Sequence, residues 1–256
     1  MDRKLILISN DDGIHAKGLE KLIEVVMPFG DVVVVAPGKG ESGMSHAITM
    51  KHPVRIRKIS EEPGLTKYSC SGTPVDSVKL ALNKILTRKP DFIFSGINHG
   101  SNSSISVIYS GTLGAVTEGC FNGIPSAGFS LLDHDPDADF TLACKYSSKI
   151  INNVIKHSLP DGTCLNVNFP VIPADEIRGI KVCRQATGVW KEEYDKRIDP
   201  YGSDYYWLTG DFNNFEPDAE DTDEWALKNK YVSVVPIKVD FTSFEALDII
   251  RKWDFS

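Results

Sequence analysis

Short, unbroken apolar runs recur along the first half of this chain, and they constrain its fold more than any other feature. Residues 5–8 (Leu-Ile-Leu-Ile) and 32–36 (Val-Val-Val-Val-Ala) contain no polar residue. A strand with one face in water alternates apolar and polar residues. A strand apolar on both faces reads as buried in a parallel sheet. Residues 91–95, 125–130 and 165–169 read as further strands, and residues 54–58 as a half-exposed one. Between them, residues 17–27 carry apolar side chains at helical spacing until Pro28-Phe29-Gly30 stops them. Thr73-Pro74-Val75-Asp76 is a helix start, with a Thr cap, Pro at the first position and Asp in the first turn. That helix is expected to run to about Leu86. Others are expected from Gly111 or Thr112 and over residues 139–157. The alternation predicts an α/β fold, a parallel sheet with helices on both faces. A chain of 256 residues can bury one large core, or a core and a smaller appendage.

Directly after the first apolar run stands Ser9-Asn10-Asp11-Asp12-Gly13. In an open α/β sheet, ligands bind at the C-terminal ends of the strands. Two adjacent carboxylates there repel, and a bound cation offsets the repulsion. Two more loops converge on that edge. One, residues 38–45, holds Ser42 and Gly43. The other, residues 96–109, holds Asn98 and Asn102 and leads into Ser110-Gly111-Thr112 at a helix start. Two carboxylates, a hydroxyl and an amide oxygen form a hard, all-oxygen set. It suits magnesium, manganese or calcium better than zinc or copper. A helix N-terminus beside it favours phosphate, and together they predict phosphoryl chemistry. The plainer readings are a turn for Asp11, a cap for Asp12, and N-caps for Ser110 and Thr112. The convergence of three loops favours the metal site over these.

The rest of the chain narrows the choice. A formal charge of -7 argues against a nucleic-acid polymer as partner. The five cysteines are widely spaced and form no C-x-x-C, so they read as reduced, mostly buried thiols. No segment approaches a membrane span, and the first apolar run is too short for a signal peptide. A cytoplasmic protein is expected. Gly38-Lys39-Gly40-Glu41-Ser42-Gly43 matches a dinucleotide fingerprint in letters only, because residues 44–57 do not read as the helix it needs. His134-Asp135 reads as solvated loop, and Lys51, Arg55, Arg57 and Lys58 as a solvated strand face. A polyanion site on that face is the minority reading. His15, His46 and His99 neighbour the candidate loops, and none is singled out as a general acid. Residues 182–207 are rich in aromatics without helical spacing: Trp190, Tyr194, Tyr201, Tyr205, Tyr206 and Trp207. They read as an extended hairpin arm or lobe, covered either by a partner subunit or by a local minicore. A strand over residues 231–235 and a short C-terminal helix close the chain.

Taken in order, these segments resemble the survival protein E (SurE) family of metal-dependent nucleoside monophosphatases. The resemblance rests on Ser9-Asn10-Asp11-Asp12-Gly13-Ile14, Ala36-Pro37 with Ser42-Gly43, and Gly72-Thr73-Pro74-Val75-Asp76. It continues through Ser95-Gly96-Ile97-Asn98, Tyr109-Ser110-Gly111-Thr112, Asn166-Val167-Asn168 with Pro170, and Tyr231-Val232-Ser233. It implies a Rossmann-like three-layer parallel-sheet core over about residues 1–181 and 229–256. An arm over about residues 182–228, a C-terminal β-hairpin arm, would serve oligomerisation as a homodimer or homotetramer. It implies one divalent cation per subunit, Mg2+ or Mn2+, on Asp11, Asp12, Ser42 and Asn98, with Asp11 and Asp12 catalytic. Asn98, Asn102, Ser110, Gly111, Thr112 and Gly43 would bind substrate. The implied reaction is hydrolysis of nucleoside 5′- and 3′-monophosphates to nucleoside and phosphate, with short-chain polyphosphate as a further substrate. The competing readings are a non-catalytic nucleotide-binding or sensory protein on the same scaffold and, more weakly, a Rossmann-type oxidoreductase or transferase. The chain departs from the family between Asn102 and Tyr109. Where the family carries a Gly and an acidic residue, it has Ser103-Ser104-Ile105-Ser106.

Overall fold

The computed structural model describes residues 3–191 and 193–255. In chain order the elements begin β1 (Lys4–Ser9), α1 (Lys17–Val26), β2 (Gly30–Pro37), β3 (Ile56–Glu62), β4 (Leu65–Cys70) and α2 (Pro74–Leu80). They continue as β5 (Phe92–His99), α3 (Gly111–Phe121), β6 (Ser126–Leu131), α4 (Thr141–His157) and β7 (Thr163–Phe169). The last part comprises β8 (Gly179–Val182), β9 (Gly188–Lys191), β10 (Tyr194–Ile198), β11 (Asp204–Leu208) and β12 (Asp211–Asn214). After these come α5 (Asp223–Lys228), β13 (Tyr231–Lys238) and α6 (Phe244–Ile250). One nine-stranded sheet runs in the order β3-β4-β2-β1-β5-β6-β7-β13-β8. Its central six strands, β4 to β7, are parallel. β3 and β13 are antiparallel to their neighbours β4 and β7.

The unbroken apolar runs are strands buried on both faces. On β1, Ile6 and Ile8 join the core under α1 and α4, with Leu19, Leu22 and Ile151. Leu7 points the other way and packs with Val78 and Ala115 of α2 and α3. Alternate residues of one strand thus feed two helical layers, which is why polar residues are excluded from the run. The Thr73 start forms as expected. Its side-chain oxygen accepts from Asp76 N at 3.1 Å, while Asp76 Oδ2 accepts from Thr73 N at 3.0 Å. That reciprocal capping box stabilises the helix by about 1 kcal/mol.

The helix that starts at Thr73 runs to about Leu86 as expected, α-helical over Pro74–Leu80 and then π-helical over Ala81–Ile85, with Leu86 as its C-cap. Asn83 Nδ2 donates to the Lys79 carbonyl at 2.7 Å, taking the acceptor that a regular helix would offer to the Asn83 N–H. Strand β4 was not anticipated, because Leu65-Thr66-Lys67-Tyr68-Ser69-Cys70 is half polar and half-buried along most of its length. It lies between β2 and the sheet's outermost strand, β3.

Residues 194–208 form a hairpin, β10 with β11, outside the main sheet. Both strands are exposed along their whole length, and Tyr201 at the turn is 94% exposed. Among the described residues, no minicore covers the aromatics of this hairpin. Trp190 of β9 does pack edge-on against Phe212 of β12, with ring centres 5.9 Å apart. Among the described residues, no helix is long and apolar enough to cross a membrane.

Candidate active site

β1 lies between β2 and β5, and the connections from the C-terminal ends of β1 and β5 run in opposite directions along the sheet, one to β2 and the other to β6. This switch point opens a crevice at the ends of β1 and β5. Asp11 and Asp12 follow β1, and Asn98 and His99 end β5. The two loops meet directly. His99 N donates to Asp12 Oδ2 at 3.2 Å.

Asp11 is buried, with 3% of its surface exposed. Its Oδ1 accepts a hydrogen bond from the Thr112 hydroxyl. Burial pushes the carboxyl up from 3.8 to about 6, against the lowering effect of Thr112, and the Asp12 charge adds to the rise. Burial also raises Asp12, opposed by the His99 N–H and by charge on His99 and His134. The start of α3 is pressed against this pair. A Cβ on Gly111 would stand 2.8 Å from Asp11 Cβ, so only glycine fits. Ser110 caps the helix, its oxygen accepting from Leu113 N at 3.1 Å.

Asn98 donates its amide Nδ2 to Gly100 O at 2.9 Å, which fixes the amide plane. The loop after β2 is tied to the same place by its backbone. Glu41 N donates to Asp11 O at 2.7 Å, and Lys39 C lies 3.1 Å from where a Cβ on Gly13 would stand. Ser42 and Gly43 are exposed at the crest of that loop. The structure therefore gathers Asp11, Asp12, Asn98, Gly111 and Thr112, and brings the loop of Ser42 alongside.

Asn102 has a different setting. Its Nδ2 donates to Ser130 Oγ at 2.8 Å, and its backbone N donates to Asn168 Oδ1 at 2.9 Å. Asn166 Nδ2 donates to Asn102 O at 2.8 Å, and Asn168 Nδ2 to Asn166 Oδ1 at 3.0 Å. Asn166 and Asn168 thus clamp the loop onto β6 and β7, a role that sequence alone did not assign. The Ser103 to Ser106 segment is held from the far side by α5. Ser104 N donates to Asp223 Oδ2 at 2.8 Å, Ser104 Oγ to Ala186 O at 2.8 Å, and Ser103 Oγ to Glu224 Oε1.

The histidines separate clearly. His46 is taken up elsewhere on α3, with Nδ1 2.8 Å from Thr117 Oγ1 and Nε2 3.1 Å from Glu118 Oε2. His15 is exposed. His99 packs its ring edge-on against Phe140, centres 5.1 Å apart. His134, read from sequence as a solvated loop residue, lies over Gly100, where its ring occupies the place a Cβ would take. It stands at the rim of the site.

Six buried side-chain polar atoms lack a partner among the described residues. Three of them, Ser9 Oγ, Asn10 Oδ1 and His99 Nδ1, lie where β1 and β5 end or just beyond, and Ser95 Oγ belongs to the β5 residue paired with Ser9. Buried polar atoms are nearly always paired, so their concentration marks a site built for something else to fill. No group of three or more His, Cys, Asp or Glu gathers among the described residues. A cation here would be completed by neutral oxygens such as Asn98 Oδ1. The donor set fits a hard divalent ion.

Residues 6–192 match the family described as survival protein SurE. The chain is 53% identical over 257 residues to a 5′-nucleotidase SurE of Flavobacterium psychrophilum, covering 100% of each. It is 54% identical over 253 residues to the protein of the same name from Flavobacterium johnsoniae, covering 98% of this chain and 97% of that one. The crystal structure of the SurE protein from Aquifex aeolicus superposes with a TM-score of 0.83 at 38% identity, over 96% of this chain and 98% of that one. With the fold, the switch-point carboxylates and these likenesses in agreement, the chain belongs to the survival protein SurE family.

Proposed function

We propose that this chain is a divalent-metal-dependent phosphatase that hydrolyses nucleoside 5′-monophosphates to nucleoside and phosphate. Nucleoside 3′-monophosphates and short-chain polyphosphate are the further substrates of this reading. The curated relatives are named 5′-nucleotidases over their full length, which makes the chain an enzyme of that class. One observation carries the reading: a buried carboxylate, Asp11, wedged between a second carboxylate and the N-terminus of α3.

In this mechanism Asp11, Asp12, Asn98 and Ser42 hold one cation, Mg2+ or Mn2+. When bound, it supplies Lewis-acid charge for a phosphoryl oxygen. The first-turn N–H groups of α3 that lack helical partners favour the phosphate's negative charge. Gly111 and Thr112 belong to that turn, and Ser110 fixes its direction. Gly43, with φ +76, lets the Ser42 loop turn. Thr112 holds Asp11 in place through its hydroxyl. Asn102, braced by Ser130 and Asn168, positions the loop and turns its amide oxygen to the substrate. These fixed groups stabilise charge as it moves onto the phosphoryl oxygens. The exposed β10–β11 hairpin, within an arm over residues 182–228, mediates a homodimer or homotetramer, and the enzyme works in the cytoplasm.

The test is phosphate release from a panel of nucleoside 5′- and 3′-monophosphates, with and without Mn2+ or Mg2+, on wild type and Asp11→Asn. Metal-dependent release that the substitution removes is the expected result. Nucleotide binding without release under any metal would replace the enzyme by a nucleotide sensor.

A further inference from the structure

A second cleft opens on the same edge of the sheet. Its volume is about 530 Å³, and Lys39, Arg55, Arg57, Glu41, Ser69 and Ser71 line it. Arg55 and Arg57 alternate with Ile56 at the start of β3, so both are presented to one side. The cleft is separated from the active site by one stretch of chain. The stretch Lys39-Gly40-Glu41 lines the cleft on one side through Lys39 and Glu41. On the other it bonds the Asp11 carbonyl and touches Gly13 and Asp12.

The two guanidiniums in this cleft are left open. Every other arginine of the chain is engaged. Arg3, Arg88, Arg184, Arg197 and Arg251 pair with carboxylates, and Arg178 stacks over Tyr231. The neighbouring lysines are paired as well, Lys58 with Glu61 and Lys67 with Glu20. Among the described residues, Arg55 and Arg57 are the arginines with no carboxylate or ring partner, in a protein with an excess of acidic residues. One carboxylate faces the cleft, Glu41, and Lys39 stands 3.8 Å from it. Two free guanidiniums a strand pitch apart repel unless an anion lies between them, and their planar forks match phosphate.

We propose that the Lys39–Arg55–Arg57 cleft is an anion subsite that takes a second phosphate group beside the phosphate being cleaved. The inference deepens the nucleotidase reading and rests on it. Arg55 and Arg57 stand at the start of β3, three strand spacings from β1, about 14 Å, a gap that an arginine side chain and a nucleotide with phosphates on both sides of its sugar can span together. The second phosphate can be part of the substrate, as in a nucleoside 3′,5′-bisphosphate, or free inorganic phosphate.

The test compares wild type with the Arg55→Gln/Arg57→Gln double variant, whose changes lie on an exposed strand. Phosphate release is measured from a nucleoside 5′-monophosphate and from the matching 3′,5′-bisphosphate. Binding of labelled inorganic phosphate is measured by equilibrium dialysis in EDTA. A substrate-borne phosphate predicts a KM for the bisphosphate raised about tenfold or more in the variant, from lost charge-assisted hydrogen bonds. Its kcat, and both constants for the monophosphate, should stay within about twofold. Free phosphate as the occupant predicts no such difference in KM, but a phosphate-binding site in wild type that the variant lacks. Identical KM values and identical dialysis curves would overturn the proposal, as would a change in oligomeric state alone. Should wild type release no phosphate from any nucleotide, the nucleotidase reading falls, and dialysis alone decides the anion site.

Discussion

At the ends of β1 and β5, polar atoms are buried without partners. On the β10–β11 hairpin, apolar side chains are exposed without cover. The first region is rigidly determined. Asp11 is held by Thr112, Asp12 by His99 N, and a Cβ on Gly111 has no room. The second has little to hold it. Tyr194 pairs with Leu208, Lys196 with Tyr206 and Ile198 with Asp204, which places Tyr194, Ile198, Tyr206 and Leu208 on one solvent-facing side. A two-stranded hairpin alone in water is marginally stable. The difference teaches what each region lacks. Unpaired buried oxygens call for an ion, and an uncovered apolar face calls for another chain.

The largest effect should come from removing the charge at the centre of the first region. Asp11→Asn keeps the size of the side chain and its place beside Thr112. We expect kcat to fall by about 10³-fold or more, the scale of losing a principal electrostatic stabiliser. Circular dichroism should stay unchanged. A folded variant with near-normal turnover would remove Asp11 from the chemistry. Next comes Gly111→Ala. Its Cβ would collide with Asp11 Cβ at 2.8 Å, so the carboxylate or the helix start must move. A displacement near 1 Å costs about 10²-fold in kcat. An unaffected enzyme would show that the fit at α3 is looser than the contact distance indicates.

The same burial gives the site a pH signature without metal. The Asp11 carboxyl is raised from 3.8 to about 6 by burial, so the fold binds its proton more tightly than the unfolded chain does. Its contribution to stability is complete below about pH 4 and is lost as pH rises through about 6. Two pKa units correspond to roughly 3 kcal/mol. In EDTA, wild type should lose that much relative to Asp11→Asn between about pH 4 and pH 8 in urea unfolding. Added Mn2+ should restore it. Parallel pH profiles for the two proteins would mean that Asp11 is ionised at no cost in the metal-free fold.

For the second region, Tyr206→Glu with Leu208→Glu places two charges on the apolar side of β11. Light scattering should then report a smaller oligomer, with the melting temperature of the core moved little. An oligomer of unchanged size would show that the chains meet through another surface.

How much of this could be read beforehand follows from where each signal resides. β1 and β2 were legible because burial on both faces forbids polar residues, as in residues 5–8 and 32–36. The position of the Asp11-Asp12 pair was legible because it follows β1 directly and two other polar loops converge on the same sheet edge. β4 was not, since Thr66, Lys67 and Ser69 make it look like a loop and only pairing with β2 and β3 makes it a strand. Nor were the Asn166–Asn168 clamp and the α5 brace, which act on a loop more than sixty residues away. Ser103 and Ser104 are accommodated by Glu224 and Asp223, and nothing local announces that partnership.

The smallest effect concerns His134, which sequence left in solvent and the fold lays over Gly100 at the rim of the site. Its charge is one of the influences that lower Asp12. Removing it with His134→Ala should leave Asp11 and Asp12 in place and change kcat by less than about tenfold, below the roughly hundredfold or more that a positioned general acid or base contributes. The informative readout is the pH profile. If His134 tunes Asp12, the acid limb of kcat/KM should move to higher pH in the variant, because a carboxyl that has lost a neighbouring cation ionises later. A profile that keeps its acid limb while KM alone rises would instead place His134 against the bound substrate, and would make the rim a binding surface.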